Sequence, residues 1–355
     1  MNNIFSQIKR SKEMGILAIL VVISIIISAF NSSFLTFGNL LDVVKSNIVL
    51  GIMSMGMLLV LLTGGIDVSI ASVISAVTVI IGRFMVDYSS NIFLIFLVGV
   101  VAGSLMGLIN GLLIAKLKIP PIVATLGTMS VIFGLVLYLT NGNWITGIPQ
   151  NFIDFGRVTI GQFPVAGSDR IQGIPIQFLF LLFAIALTWF ILKYTMIGRG
   201  IYAIGGNRDS AERIGMNSEN ITLFIYTYEG FLIGLAGVVH TSIMRQVDPN
   251  AFIGFEIQVI AAVVLGGASV LGGYGSVSGT IIGVSLFCII NNGLILMHIP
   301  TFWQKIVVGV VLITSISFDV IQKRMHDKKN IRVDIDESES SFKRLSVVQK
   351  STSQA

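Results

Sequence analysis

The chain has 355 residues, 54% of them hydrophobic and 12% charged, against about 25% charged in ordinary water-soluble domains. With a mean hydropathy of +0.88, this composition excludes a soluble globular domain and describes a polytopic membrane protein, all-helical in class. Lys and Arg (23) outnumber Asp and Glu (18), a net charge of +5, and the expected surroundings are a lipid bilayer with no nucleic-acid partner.

Residues 1–13 read as a cytoplasmic N-terminus carrying Lys9, Arg10 and Lys12. The apolar run from Met14 to Phe30 has the flanks of a signal peptide, but it is longer than the usual apolar core of one and lacks a small-x-small exit. It is read as an uncleaved first span. A helix needs about 20 mainly apolar residues to cross the hydrocarbon core. On that measure spans fall near 14–30, 46–63, 68–86, 92–115, 122–140, 176–196, 221–243, 257–271, 276–297 and 302–321, about ten in all. With the N-terminus inside, Lys116, Lys118, Lys193, Arg199, Arg208, Arg213, Lys323 and Arg324 all face the cytoplasm, and Lys45 is the main exception. Tyr88, Trp144 and Trp303 then fall at the outer interface and Trp189 and Tyr194 near the inner one. Both termini are expected inside.

Between the second and third spans lies Leu62-Thr63-Gly64-Gly65-Ile66-Asp67-Val68-Ser69. Gly64 and Gly65 interrupt the helix and free backbone groups that lipid cannot satisfy, so the bend must be buried in protein or line a wet cavity. Asp67 has two readings: a cap on the N–H groups of the next helix, which is preferred, or a contact to a solute.

Asn110-Gly111-Leu112-Leu113-Ile114 followed by Ile119-Pro120 returns as Asn292-Gly293-Leu294-Ile295-Leu296 followed by Ile299-Pro300. In the expected topology the first copy exits inward and the second outward, which is the mark of an inverted repeat, with a pathway at the repeat interface. Chance likeness of two Leu/Ile-rich helix ends is the competing reading. Asn110 and Asn292 are accordingly pathway candidates. The connection 141–175, with Pro149, Pro164, Pro175 and several glycines, is expected to be a structured external cap without a helix.

The connection 197–220 contains the polar island Ala203 to Met216, with Asn207 or Asp209 as the cap of a short helix, Ala211 and Ile214 three apart on one face, and Gly215 as its end. Either it is a solvated loop, or it presents a small apolar face to a partner protein. Glu229, in Tyr226-Thr227-Tyr228-Glu229-Gly230, falls in mid-span. A charge there is costly, so this residue is protonated, paired, or turned toward a water-filled pathway. Gly266 and Gly267 begin a glycine-dense stretch through Gly279 that permits a tight reversal and close helix approach. Cys288 is the lone cysteine and sits in an apolar run, so no intrachain disulfide forms. After Lys323, acidic residues alternate with serines, and 322–355 reads as a disordered cytoplasmic tail.

No metal-ligand cluster, nucleophile motif or phosphate loop is present in the sequence, and ionisable residues do not recur over successive spans as in a proton relay. The chain is therefore not read as an enzyme, and the energy for any transport comes from elsewhere.

The motifs Gly64-Gly65-Ile66-Asp67-Val68-Ser69, Asn110-Gly111, Ile119-Pro120-Pro121-Ile122-Val123-Ala124-Thr125-Leu126-Gly127-Thr128, Gly205-Gly206-Asn207, and Glu256-Ile257 through Ala261-Ala262-Val263-Val264-Leu265-Gly266-Gly267 occur in this order. Over residues 40–320 the chain thereby resembles the permease subunits of bacterial ATP-binding-cassette importers for ribose and other simple sugars. These are a branch of a larger permease group that also serves branched-chain amino acids. The resemblance implies a type II importer architecture in the bacterial inner membrane, with a second permease, identical or paralogous, completing the pathway. It also implies that cytosolic ATPase subunits consume the ATP, that an external binding protein delivers the sugar, and that this chain binds no cofactor. Gly206, Asn207, Ala211, Ile214 and Gly215 would then form the segment seated on the ATPase. Gly142-Asn143-Trp144-Ile145 with Gly147-Ile148-Pro149, and Ile299-Pro300 with Trp303, are most similar to permeases for autoinducer-2, a furanosyl signal, and for rhamnose. Two departures stand out: Ile70-Ala71 where the family usually has Val-Gly, and Glu229 where a small or neutral polar residue is common. The second leaves the substrate class open.

The expected function is that of a permease subunit importing a monosaccharide or furanose-like solute. A stand-alone secondary carrier and a branched-chain amino acid permease are the alternatives.

Overall fold

The computed structural model describes residues 12–164 and 171–300, together with 302–303, 305–307, 309–310, 313–314 and 317. Residues 310–355 form a separate unit, of which Val310, Ile313, Thr314 and Ser317 are described and helical. Most of the expected N-terminus, much of the expected span 302–321 and the expected tail 322–355 lie outside the described residues.

The first unit is built from helices α1 (Lys12–Phe30), α2 (Phe37–Leu62), α3 (Ile70–Asp87), α4 (Ile92–Ala115) and α5 (Pro121–Thr140). There follow α6 (Gln150–Arg157), a hairpin of β1 (Thr159–Pro164) and β2 (Ile171–Pro175), α7 (Gln177–Tyr194), α8 (Met196–Gly206) and α9 (Arg208–Arg213). α10 (Ser218–Met244), α11 (Phe255–Leu265) and α12 (Val277–Leu296) complete the described helices. Among the described residues eight helices, α1 to α5, α7, α10 and α12, are long and apolar enough to cross a membrane. The chain is an all-α polytopic membrane protein.

Three expectations need correction. The span expected at 257–271 is the 11-residue α11. At 1.5 Å per residue it rises about 16 Å, roughly half the hydrocarbon thickness. Gly266 ends it, and Gly267, Gly272 and Gly273, at φ of 85°, 84° and 77°, turn the chain instead of extending the helix. The second correction concerns α2, which begins at Phe37 and not near 46, because the Thr36 hydroxyl accepts from Asn39 N and caps an earlier turn. Asp42 and Lys45 are thus helical. The third is the connection 141–175, which contains a helix and a β-hairpin. Pro149 precedes α6, Gln150 and Asp154 hydrogen-bond one turn apart at 2.8 Å, and Phe155 stacks edge-on against Phe96 of α4. Gln177 at the start of α7 donates to Gly156 O and to Ser242 Oγ of α10, at 2.9 and 3.1 Å. The connection is therefore a tied-down structure.

The core runs along α2 and α10. Every residue of α2 from Ile48 to Leu62 is buried, the pattern of a helix covered on all sides. α10 packs along α2, α3 and α4. Its approach to α4 is close enough that a methyl group at Gly103 would overlap Gly230 O, and one at Gly107 would overlap Tyr226 O. Packing of this kind, backbone against backbone, replaces the missing hydrophobic drive between helices in lipid. Gly103→Ala should therefore cost about 1–3 kcal/mol through forced helix separation. In detergent its melting temperature should fall, whereas Gly127→Ala, which meets nothing within 4 Å, should melt with the parent.

Both copies of the Asn-Gly echo leave their helices alike. Lys118 and His298, each two residues before a proline, adopt left-handed φ of 55° and 58°. At the periphery α1 is clipped to α12 at both ends: Ser276 and Ser278 donate to the Glu13 carboxylate, and Asn31 donates to Leu296 O.

Candidate functional site

Two groups of residues stand out. The first surrounds the break between α2 and α3. Gly64 takes φ of 76°, and backbone groups beyond it find side-chain partners from α5 and from the break itself. Thr125 of α5 accepts from Val68 N at 3.2 Å and donates to Ile66 O at 3.3 Å. Asp67 Oδ1 accepts from Ser69 N (2.7 Å) and Ser69 Oγ (2.6 Å), and Asn110 of α4 donates to Ser69 Oγ (2.8 Å) and to Asp67 Oδ2 (3.5 Å). Asp67 thus closes a turn onto the residue just before α3, and α3 itself has no side-chain cap. The capping role expected for Asp67 is corrected in that respect: the carboxylate serves the turn, one residue short of the helix's own N–H groups.

α10 brings Tyr226 to the same break. The Tyr226 hydroxyl lies where a Cβ on Gly65 would come within 2.9 Å, and Glu229 is fully buried with its Cγ against Gly56 of α2. Asp67 and Asn110 therefore meet at the break, while Glu229 is buried between α10 and α2. Asn292 does not join them. It exchanges two amide hydrogen bonds with Asn39 of α2, at 2.9 and 3.0 Å, and nothing in the sequence singled out Asn39.

The second group lies around α9. Asn207 caps this helix by accepting from Ser210 N at 2.9 Å, and Gly215, at φ of 88°, follows its end. Ala211 and Ile214 do not share an outward face: Ala211 is 2% exposed, packed inward, while Ile214 is 73% exposed. At position 214 the helical turn has already ended, which swings that side chain out. The apolar contact offered is thus Ile214 without Ala211. The Ser218 hydroxyl and Arg208 both hydrogen-bond Glu212, which holds its carboxyl below the usual carboxylate range, and Arg208 also reaches Ser218 Oγ at 3.1 Å. Beside them Lys116 pairs with Glu219 at 2.7 Å, joining the end of α4 to the start of α10.

Directly before α9, three chain segments meet backbone to backbone. Leu62 O, at the end of α2, accepts from Gly273 N at 2.8 Å. A Cβ on Gly205, in the last turn of α8, would overlap that same Leu62 O and stand 2.5 Å from Gly273 N. Tyr202 of α8 donates to Gly275 O at 2.9 Å. Gly206, the next residue, meets nothing within 4 Å. Gly266 is pressed against Gly279 O, so the short α11 and the start of α12 are in backbone contact as well. The sequence had marked these glycines singly, as helix breaks and packing positions. Their meeting is a long-range contact that no local pattern carries.

Comparison with known proteins adds a family. Residues 39–316 match the model described as the permease component of branched-chain amino acid transport systems. The ribose import permease protein of Haemophilus influenzae is 36% identical over 301 residues, 84% of this chain and 90% of that protein. The ribose import permease protein of Bacillus subtilis is 36% identical over 300 residues. An autoinducer 2 import system permease protein of Photorhabdus laumondii is 32% identical over 325 residues, 92% of this chain and 94% of that one. No solved structure matches significantly.

Proposed function

The chain belongs to the permease-component family of branched-chain amino acid transport systems, and from that premise we propose that it lines the pathway of an ATP-driven importer for a monosaccharide or furanose-like solute. The observation that carries this reading is the match, over about nine-tenths of their length, to ribose and autoinducer-2 import permeases. Chemistry supports it. The polar groups buried in the spanning helices and at the break are mostly hydroxyls and amides, among them Ser54, Ser72, Ser75, Thr78, Asn110, Thr188 and Thr280, with Asp67 and Glu229 the buried carboxyls among the described residues. A neutral polyol needs such hydrogen-bonding partners and no fixed counter-charge.

In this reading a cytosolic ATPase hydrolyses the ATP and seats on α9 through Ile214. A second permease subunit completes the pathway, an external binding protein delivers the solute on the side of the connection 141–175, and both termini are cytoplasmic. The cationic residues Lys116, Lys118, Lys193, Arg199, Arg208 and Arg213 then share the inner face, as positive residues beside spans do.

Competition distinguishes the solute classes. Cells expressing the complete importer should accumulate labelled ribose, and excess unlabelled furanose or rhamnose should suppress this while excess leucine should not. Suppression by leucine alone would move the chain to the amino acid branch. No accumulation of any of these solutes would count against the proposed substrate class.

A further inference from the structure

The end of α7 carries an exposed cluster that neither the buried break nor α9 uses. Lys193, in the last turn of this spanning helix, holds its ammonium over two rings, 4.8 Å from the centroid of Trp189 one turn before it and 5.5 Å from that of Tyr194 beside it. The two rings meet edge-on at 5.2 Å, and Phe190 lies against Tyr194 at 5.7 Å. Ring faces attract a cation, so this cage fixes a side chain that would otherwise be flexible. It does not neutralise the charge, and among the described residues no carboxylate pairs with Lys193. The chain turns at Thr195, whose hydroxyl accepts from Gly198 N at 3.0 Å. Arg199, the next cation, is exposed as well, and its guanidinium rests on the Met196 sulfur at 2.7 Å with no carboxylate partner among the described residues. Lys116, Arg157 and Arg208, by contrast, each pair with a carboxylate.

The cluster is turned outward: Trp189, Phe190 and Tyr194 are 44%, 54% and 56% exposed. Leu179, Leu182 and Phe183, also exposed, continue the Phe190 face of α7 toward the other side of the bilayer at helical spacing. An apolar stripe of this kind on a spanning helix faces lipid tails, and aromatic rings beside cations mark the depth of the headgroups. We propose that the end of α7 is a binding site for an anionic phospholipid, its phosphate held by Lys193 and Arg199 and its acyl chains lying along Leu179, Phe183 and Phe190. The cage decides the sign of the headgroup. Its ring faces are taken by a tethered ammonium, so a choline finds its place filled. The two uncompensated cations favour a lipid of net negative charge, by about 5-fold for each cation near the surface. The assignment requires only that α7 spans the bilayer, and it is independent of the transported solute.

Tryptophan fluorescence reads the lipid at this place. In the full-length permease carrying Trp144→Phe and Trp303→Phe, Trp189 is the one indole left, and bromine on a lipid quenches it at contact. In liposomes of unbrominated phosphatidylcholine, added brominated phosphatidylglycerol should quench Trp189 at least about 5-fold more effectively than added brominated phosphatidylcholine. Lys193→Gln with Arg199→Gln, which leaves the rings in place, should bring that ratio to about 1. Both side chains are exposed, so this variant should melt with the parent. An excess of inorganic phosphate should leave the ratio unchanged, because a free anion brings no acyl chain. A ratio of about 1 in the parent overturns the proposal whatever the variants do. A ratio that the double substitution leaves untouched overturns it as well, and so does one that inorganic phosphate abolishes, the mark of a free-anion site. Loss of the contrast once the ATPase is bound, read as the difference from a Trp189→Phe permease, would assign the cluster to a protein contact and overturn the lipid site. Each of these outcomes can occur with solute uptake intact.

Discussion

Ile214→Asp is expected to release the permease from its ATPase and to stop uptake while the permease itself inserts and folds as before. The expectation rests on two facts about α9. Ile214 is 73% exposed, so no described residue covers it, and it follows the end of a helix held rigidly by the Asn207 cap and by the network of Arg208, Glu212 and Ser218. An isoleucine presented in this way contributes apolar burial only when a partner covers it. An aspartate in its place would be buried without a counter-charge, at a cost of about 3 kcal/mol or more, roughly 100-fold in affinity. Ala211→Asp is the instructive comparison. Because Ala211 packs inward, that change should damage the island itself and lower thermal stability, which Ile214→Asp should leave alone. Co-purification of the ATPase and the melting curve of the free permease measure the two effects separately. Full association by the Ile214→Asp protein would remove α9 from the contact.

Gly205→Ala should uncouple ATP hydrolysis from uptake, and Gly206→Ala, one residue on, should not. At Gly205 the added methyl overlaps Leu62 O and crowds Gly273 N, so the ends of α2 and α8 and the turn before α12 must move apart. Neither neighbour is the tip of a flexible side chain that could yield. Asn207, the cap of α9, is two residues away, and the island therefore takes its position relative to α2 from this junction. At Gly206 the same methyl enters open space. We expect the Gly205→Ala complex to assemble and hydrolyse ATP with uptake reduced at least about 10-fold, in keeping with about 1–3 kcal/mol of strain at the junction. The Gly206→Ala complex should match the parent in both assays. Equal behaviour of the two variants would mean that the junction is passive.

Much of this arrangement was legible in the residues. Long apolar runs bounded by charge mark spanning helices, because the bilayer demands length and internal hydrogen bonding at once. The break at Gly64-Gly65 and the Asn207 cap were legible for a similar reason: each is a local backbone requirement written in adjacent residues. What escaped was set at long range. α6 exists because Phe155 finds Phe96 and Gly156 finds Gln177, partners about 60 and about 20 residues away, and its eight residues carry too little periodicity to announce it alone. The two strands after it depend on the pairing of β1 with β2. α11 looked like a span because apolar content continues through Ala268, Val270 and Leu271, yet the glycines among them set the backbone and composition does not. The inward turn of Ala211 needed the position of α9 against the bundle, and the packing of Glu229 against Gly56 needed the path of α10.

The central claim is that this chain moves its solute with a partner's ATP. Proteoliposomes containing the permease, its ATPase and the binding protein test it most directly, with labelled ribose on the binding-protein side and ATP on the other. The account predicts accumulation that requires ATP and all three components, and that continues when sodium and proton gradients are collapsed. Accumulation by the permease alone, driven by an ion gradient and indifferent to ATP, would contradict it and identify a secondary carrier.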